Sequence, residues 1–177
     1  PTGLPYFEAH GYSSFTAMPT VAIAIIIAIT TTVLSSYAAS FFSRKLLFTV
    51  FAVAVMVLVY PLYMIINTGV YLYFALALIV YALIGHMLLG LRPIIIADAF
   101  PTKYRYSASG YSFQLMSIYT GLMTSIVVPW IYTASHGVAN SWPYMGALLI
   151  IWLLVGIISV WLARVPKPDE ISQEALS

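Results

Sequence analysis

The sequence contains no cysteine, which excludes disulfide scaffolds, thiolate nucleophiles and zinc–thiolate sites. Charge is nearly as scarce: Asp, Glu, Lys and Arg make up 7% of the 177 residues, against about 25% in an ordinary soluble domain. Seven basic and five acidic residues leave a net +2, too weak a field to gather polyanions, so no nucleic-acid partner is expected. The three His are scattered among stretches almost free of carboxylates, so neither a metal nor a cofactor is expected. No Ser/His/Asp grouping, carboxylate pair or phosphate-cradling glycine loop occurs, and the chain does not read as an enzyme. Apolar side chains are abundant instead, at 62%, with a mean hydropathy of +0.98. Such a chain belongs in a membrane.

A helix crosses the hydrocarbon core with about 20 apolar residues. Five stretches qualify, roughly 18–42, 46–66, 70–97, 107–133 and 144–163, followed by a tail over about 164–177. None alternates strictly over ten residues as a barrel strand would. The expected fold is therefore all-α, a single five-helix membrane bundle. Arg44 and Lys45 fall between spans one and two. Arg92, Lys103 and Arg105 fall around the junction of spans three and four, and Arg164 and Lys167 follow span five. All seven basic residues thus lie on one side, which the positive-inside rule makes cytoplasmic. The N-terminus is then outside and the C-terminus inside, in a multi-pass protein of the plasma membrane. Tyr60, Tyr63, Trp142 and Tyr144 would mark the outer interface, with Tyr104, Tyr106 and Trp161 at the inner one. An odd number of spans, an external start at Pro1 and the lack of a signal peptide in residues 1–17 create the expectation that something upstream is missing; the alternative is a genuine five-span protein with an external N-terminus.

Span four is the most polar. Ser107, Gly110, Tyr111, Gln114, Ser117, Gly121, Thr124 and Ser125 recur at three- and four-residue steps, on one helical face. An unsatisfied amide in hydrocarbon costs several kcal/mol (order of magnitude), so Gln114 should face another helix or a wet cavity. Helix packing is the favoured account of the Ser and Gly residues, while Gln114 and Tyr111 fit either reading. Span three carries His86, an ionisable group well inside the membrane and hence a functional candidate. A neutral His bonded between helices is the plainer reading. Arg92 reads as a cytoplasmic anchor that snorkels to the surface. Pro93 and Pro129 cannot donate to the carbonyls of Leu89 and Ser125, so bends are expected there. Spans two and five, apolar nearly all round, read as lipid-facing supports. Span one has a hydroxyl-rich half with Thr30, Thr31, Thr32, Ser35, Ser36 and Ser40, which places any cavity among spans one, three and four.

Between spans three and four runs Asp98-Ala99-Phe100-Pro101-Thr102-Lys103-Tyr104-Arg105-Tyr106-Ser107. This resembles the E-x-F-P-T-x-x-R-[YF]-[ST] loop between the tenth and eleventh helices of major facilitator superfamily transporters. The likeness is greatest to the metabolite:proton symporter and sugar-porter branches. Leu4-Pro5-Tyr6-Phe7 and Gly11-Tyr12-Ser13 resemble the end of that family's seventh helix and the loop after it, which makes the five spans helices eight to twelve. The family's G-x-x-S-D-R-x-G-R-[RK] loop corresponds to residues 36–45, where only the basic pair Arg44-Lys45 matches. The resemblance implies a secondary transporter working by alternating access, moving a small organic solute, with proton coupling. Tyr81, His86, Tyr111 and Gln114 are then the candidate substrate contacts, and Asp98, Pro101 and Arg105 the conformational-switch loop. The partners implied are the lipid bilayer, an N-terminal half on other helices and a small-molecule substrate. The alternative is a small accessory subunit of a larger membrane complex.

Overall fold

A computed structural model describes residues 14–68, 70–100, 103–138 and 140–163, with side chains from Met18 onward. Leu4 to Phe7, Gly11 to Ser13, Pro101, Thr102, Arg164 and Lys167 lie outside the described residues. The helices are α1 (Ser14–Ala38), α2 (Arg44–Ile66), α3 (Tyr71–Asp98), α4 (Arg105–Leu122), α5 (Val128–Ala134) and α6 (Trp142–Leu162). A π-helical turn, Met123–Val127, joins α4 to α5. Among the described residues there is no strand. Five helices are long and apolar enough to cross a membrane, with α4 to α5 counting as one from Arg105 to Ala134.

The tightest packing is between α1 and α3. On α1 the buried positions are Thr20, Ala24, Ala28, Thr31 and Ser35, continued by Ala39 just past its end, one stripe at three- and four-residue steps. These are small or hydroxyl-bearing residues, which let two backbones approach closely. Thr31 donates to the Ala82 carbonyl at 3.3 Å, Thr32 to that of His86 at 3.3 Å and Ser36 to that of Gly90 at 3.0 Å. The near-constant separation of 51 to 54 residues shows that α1 and α3 run parallel. A Cβ at Gly90 would come within 2.2 Å of Ser35 Oγ and 2.3 Å of the Thr32 carbonyl, so the contact requires glycine there.

The helices α2 and α6 are antiparallel. Tyr60 at one end donates to the Pro143 carbonyl at 3.3 Å, while Lys45 at the other reaches the carbonyls of Trp161 and Ala163 at 3.3 and 2.7 Å. A core of Ala52, Val55 and Leu88, flanked by Phe48, Phe51, Leu149, Leu153 and Ile157, ties α2, α3 and α6 together. Tyr60 and Tyr63 gather around Trp142, with ring centroids 6.2 and 6.5 Å away, as side chains of one interfacial belt do.

The two prolines act differently. The helix α3 stays α-helical through Pro93. Before Pro129 the helix instead widens, and Val128 N–H reaches five residues back to the Met123 carbonyl. Pro129 lacks the donor that would hold an α-helical register over Ser125, and the π turn absorbs that loss. The helix ends with His136 at φ 58° and Gly137 at φ 133°, where Gly137 N–H reaches the Tyr132 carbonyl at 2.9 Å. Only a residue free of a Cβ takes the second of those angles easily.

Candidate functional site

All five described basic residues, Arg44, Lys45, Arg92, Lys103 and Arg105, lie at or near one end of the bundle, where α2 begins, α3 ends and α4 begins. Asp98 is the only carboxylate among the described residues. It forms an ion pair with Arg44, and the two side chains are only 11% and 14% exposed. Arg105 lies near enough to Arg44 to repel its charge and donates from Nε to the Phe100 carbonyl at 3.4 Å. One acidic helix end thus ties α2 to α3, while Arg105 caps the loop that leads into α4. The sequence places Asp98 and Arg105 in one loop but says nothing of Arg44 as the partner, 54 positions away. Charge and burial alone select it: a largely buried guanidinium at a helix start needs an anion, and one is available.

The membrane interior holds a second group of polar residues. Tyr81, Gly85, His86 and Arg92 all belong to α3. Ring carbons of Tyr81 lie 3.2 to 3.5 Å from where a Cβ of Gly85 would stand, so the phenol lies over the glycine. The His86 ring meets Tyr81 edge-on at 6.4 Å. His86 Nδ1 is buried and has no hydrogen-bond partner among the described residues, while its carbonyl accepts from Thr32.

Arg92 meets the neighbouring helix α4. A helical Cβ tilts toward the N-terminus, and for α3 that direction leads away from the charged end. Its Nη1 donates to Met116 Sδ at 3.2 Å, and Met116 stands eleven residues into α4, about 16 Å along its axis. The guanidinium therefore reaches across to α4.

The polar face of α4 is not brought to this group. The helix approaches α3 through the Met116 side, and Gln114, two residues before Met116, is on the opposite side of the helix. Tyr111 is 74% exposed, Gln114 is exposed, and nothing lies within 4 Å of a Cβ built at Gly110 or Gly121. Tyr81 and His86 are thus neighbours, whereas Tyr111 and Gln114 form a separate surface. The hydroxyls of α1 are also not free to line a cavity, because Thr31, Thr32 and Ser36 are engaged by carbonyls of α3. A groove between the outer halves of α2 and α3 is lined by Leu62, Ile65, Tyr73, Leu76, Ala77 and Val80. Without converging polar groups it offers a polar solute nothing.

Against known proteins, the chain is similar to the glycine betaine/proline/ectoine/pipecolic acid transporter OusA of Dickeya dadantii (strain 3937). The two are 29% identical over 116 residues, which are 66% of this chain and 23% of that protein. The chain thus matches under a quarter of its relative's length. No protein-family model matches, and no solved structure matches. With its five membrane-length helices and this relative, the chain is a multi-pass membrane protein similar to a piece of a solute transporter.

Proposed function

We propose that the chain is the C-terminal half, helices eight to twelve, of a major-facilitator-type secondary transporter in the plasma membrane. It would move a small organic solute by alternating access, with proton coupling. The observation that carries this reading is the open polar face of the fourth span. Lipid does not accommodate an exposed Gln114 and its neighbouring hydroxyls in mid-membrane, so that face belongs against water or further protein. The relative's identity as a solute transporter supports the same reading.

In this mechanism the solute binds near the bilayer midplane between two helical halves, with Tyr81 and His86 of α3 on the wall contributed by this chain. Tyr111 and Gln114 line the water-filled path beside the second half. The Arg44–Asp98 pair, with Arg105 beside it, holds the ends of α2, α3 and α4 together at the cytoplasmic surface and sets their relative position in each state. His86, with its unengaged Nδ1, is the proton-coupling group.

Uptake of radiolabelled glycine betaine and proline, by cells that lack carriers for them and express the complete protein, tests this. Accumulation driven by a proton gradient is expected. Absence of uptake in a correctly inserted protein overturns the reading in favour of an accessory membrane subunit.

A further inference from the structure

Positive charge at the basic end of the bundle exceeds what that end neutralises. Arg44 is paired with Asp98, the sole described carboxylate, and Lys45 is taken up by the carbonyls of Trp161 and Ala163. Arg105 stands close enough to Arg44 to repel it, and its Nε donates to the uncharged Phe100 carbonyl at 3.4 Å. Lys103 is exposed and lies over the Tyr104 ring, 5.3 Å from its centroid. The first turns of α2 and α4 hold no acidic residue. Lys103 and Arg105 thus carry two charges for which the described residues supply no free carboxylate.

The opposite charge is present in the sequence, and it departs from the same end. Of five acidic residues, Asp169, Glu170 and Glu174 follow α6, and residues 168–177 contain no basic side chain. These positions lie outside the described residues, but the point from which they depart does not. The Ala163 carbonyl, just past α6, accepts from Lys45 at 2.7 Å. Lys45 adjoins Arg44 in sequence, and Arg44 neighbours Arg105. The way from the end of α6 to the start of α4 therefore crosses one helix end, that of α2. Extended chain from Ala163 reaches up to about 20 Å at Asp169 and about 40 Å at Glu174, ample for that crossing.

We infer that the acidic segment 169–174 docks on the face formed by Lys103 and Arg105 where α4 begins, as a strap from the end of α6 across α2 to α4. The inference goes beyond the transport reading and does not depend on it. Opposite charges tethered in one chain meet at high effective concentration, and each carboxylate can accept a charge-assisted bond from a guanidinium or an ammonium. An anion beside Arg105 also offsets its repulsion with Arg44. The strap acts on a weakly secured helix. No residue of α4 is buried, and its contacts with the bundle include the Arg92–Met116 bond and the Tyr119–Trp152 stack, with 4.8 Å between centroids. Docked, the segment fixes the start of α4 against α2; released, it leaves that end of α4 free to shift.

The rate of disulfide formation in the complete protein, reconstituted in phosphatidylcholine vesicles, tests the docking. Tyr106→Cys, at a position 94% exposed beside Arg105, is combined with Ser172→Cys, between the acidic positions, so that every charge stays in place; each single substitution is the control. The pair should join under a mild oxidant. Adding Asp169→Asn, Glu170→Gln and Glu174→Gln should slow the reaction about three- to tenfold, the scale of two or three exposed ion pairs. Lys103→Gln should slow it too, but should add little once the tail is neutral, because the partners of Lys103 are then gone. Reversing both sides, Glu170→Lys and Glu174→Lys with Lys103→Glu and Arg105→Glu, should recover the original rate, which a damaged fold would not. Equal rates with charged and neutral tails would mean that the tail merely collides with this face, and would overturn the inference. If tail charge has no effect while Lys103→Gln weakens retention of added phosphatidylglycerol, the face serves lipid headgroups and the inference falls.

Discussion

At the scale of single residues, the Arg44–Asp98 pair is the most telling contact. Its side chains are nearly withdrawn from solvent, so removing one leaves the other charge buried and uncompensated. Arg44→Ala should lower stability by about 3 kcal/mol, the cost of breaking a buried pair, read as a drop in melting temperature of the purified protein. The exchanged pair Arg44→Asp with Asp98→Arg should recover most of the loss; no recovery would mean that the two act through other partners. His86 differs because its importance lies in titration. His86→Gln should abolish proton-driven accumulation while solute exchange down a gradient continues, and equal loss of both modes would make it a packing or solute-binding residue instead. The sequence shows both residues as unusual, since charge and histidine are rare in such a chain. It does not show that Asp98 bonds to the first residue of the preceding helix, because an ion pair between helix ends depends on how the helices stack. The contact of Arg92 with Met116 is hidden for a related reason: distance from the helix end is visible in sequence, whereas side-chain direction follows from the helix polarity and the neighbour it meets.

At the scale of elements, the pairing of α1 with α3 follows from small residues and hydroxyls in register. Each hydroxyl-to-carbonyl bond contributes little, about 0.6 kcal/mol for an interhelical bond of this kind in a membrane. Thr32→Val and Ser36→Ala should each shift the melting point slightly. Gly90→Ala is another matter, since the added Cβ would meet Ser35 Oγ at 2.2 Å and the Thr32 backbone oxygen at 2.3 Å. Backbone cannot rotate away as a side chain does, so the helices must part, at a cost of about 1–3 kcal/mol. Gly110→Ala, with nothing within 4 Å, serves as the comparison within this chain. A Gly90→Ala protein as stable as the original would show that the two helices stand further apart. The five helices are legible in the sequence because apolar length alone specifies a span. Which helix the hydroxyls of α1 serve is not legible, since packing and cavity lining call for the same residue types. The π turn before Pro129 is likewise hidden: proline announces a lost hydrogen bond but not whether the helix bends or widens.

At the scale of the whole molecule, the bundle is sided in both charge and polarity, and both asymmetries extend to what surrounds it. The described basic residues gather at one end, which by the positive-inside rule faces the cytoplasm; a cysteine at Lys103 should therefore escape an impermeant reagent applied from outside. The fourth span carries the second asymmetry. Leu115 is 67% exposed and Leu122 52% exposed, on a side of the helix that suits lipid and about a quarter-turn round from the exposed Gln114. A helix cannot offer both sides to hydrocarbon without leaving the Gln114 amide unsatisfied. The chain has no cysteine of its own, so each substitution adds the one cysteine on these helices, and the unsubstituted protein gives the background. In the complete protein, Gln114→Cys and Ser107→Cys should react with a water-soluble maleimide, and Leu115→Cys and Leu122→Cys should not. That three- to four-residue rhythm is what a wet path along one side of a lipid-facing helix produces. Uniform reactivity along the span would mean that it stands loose in water, and silence at Gln114 would mean that protein, not a solute path, covers the face.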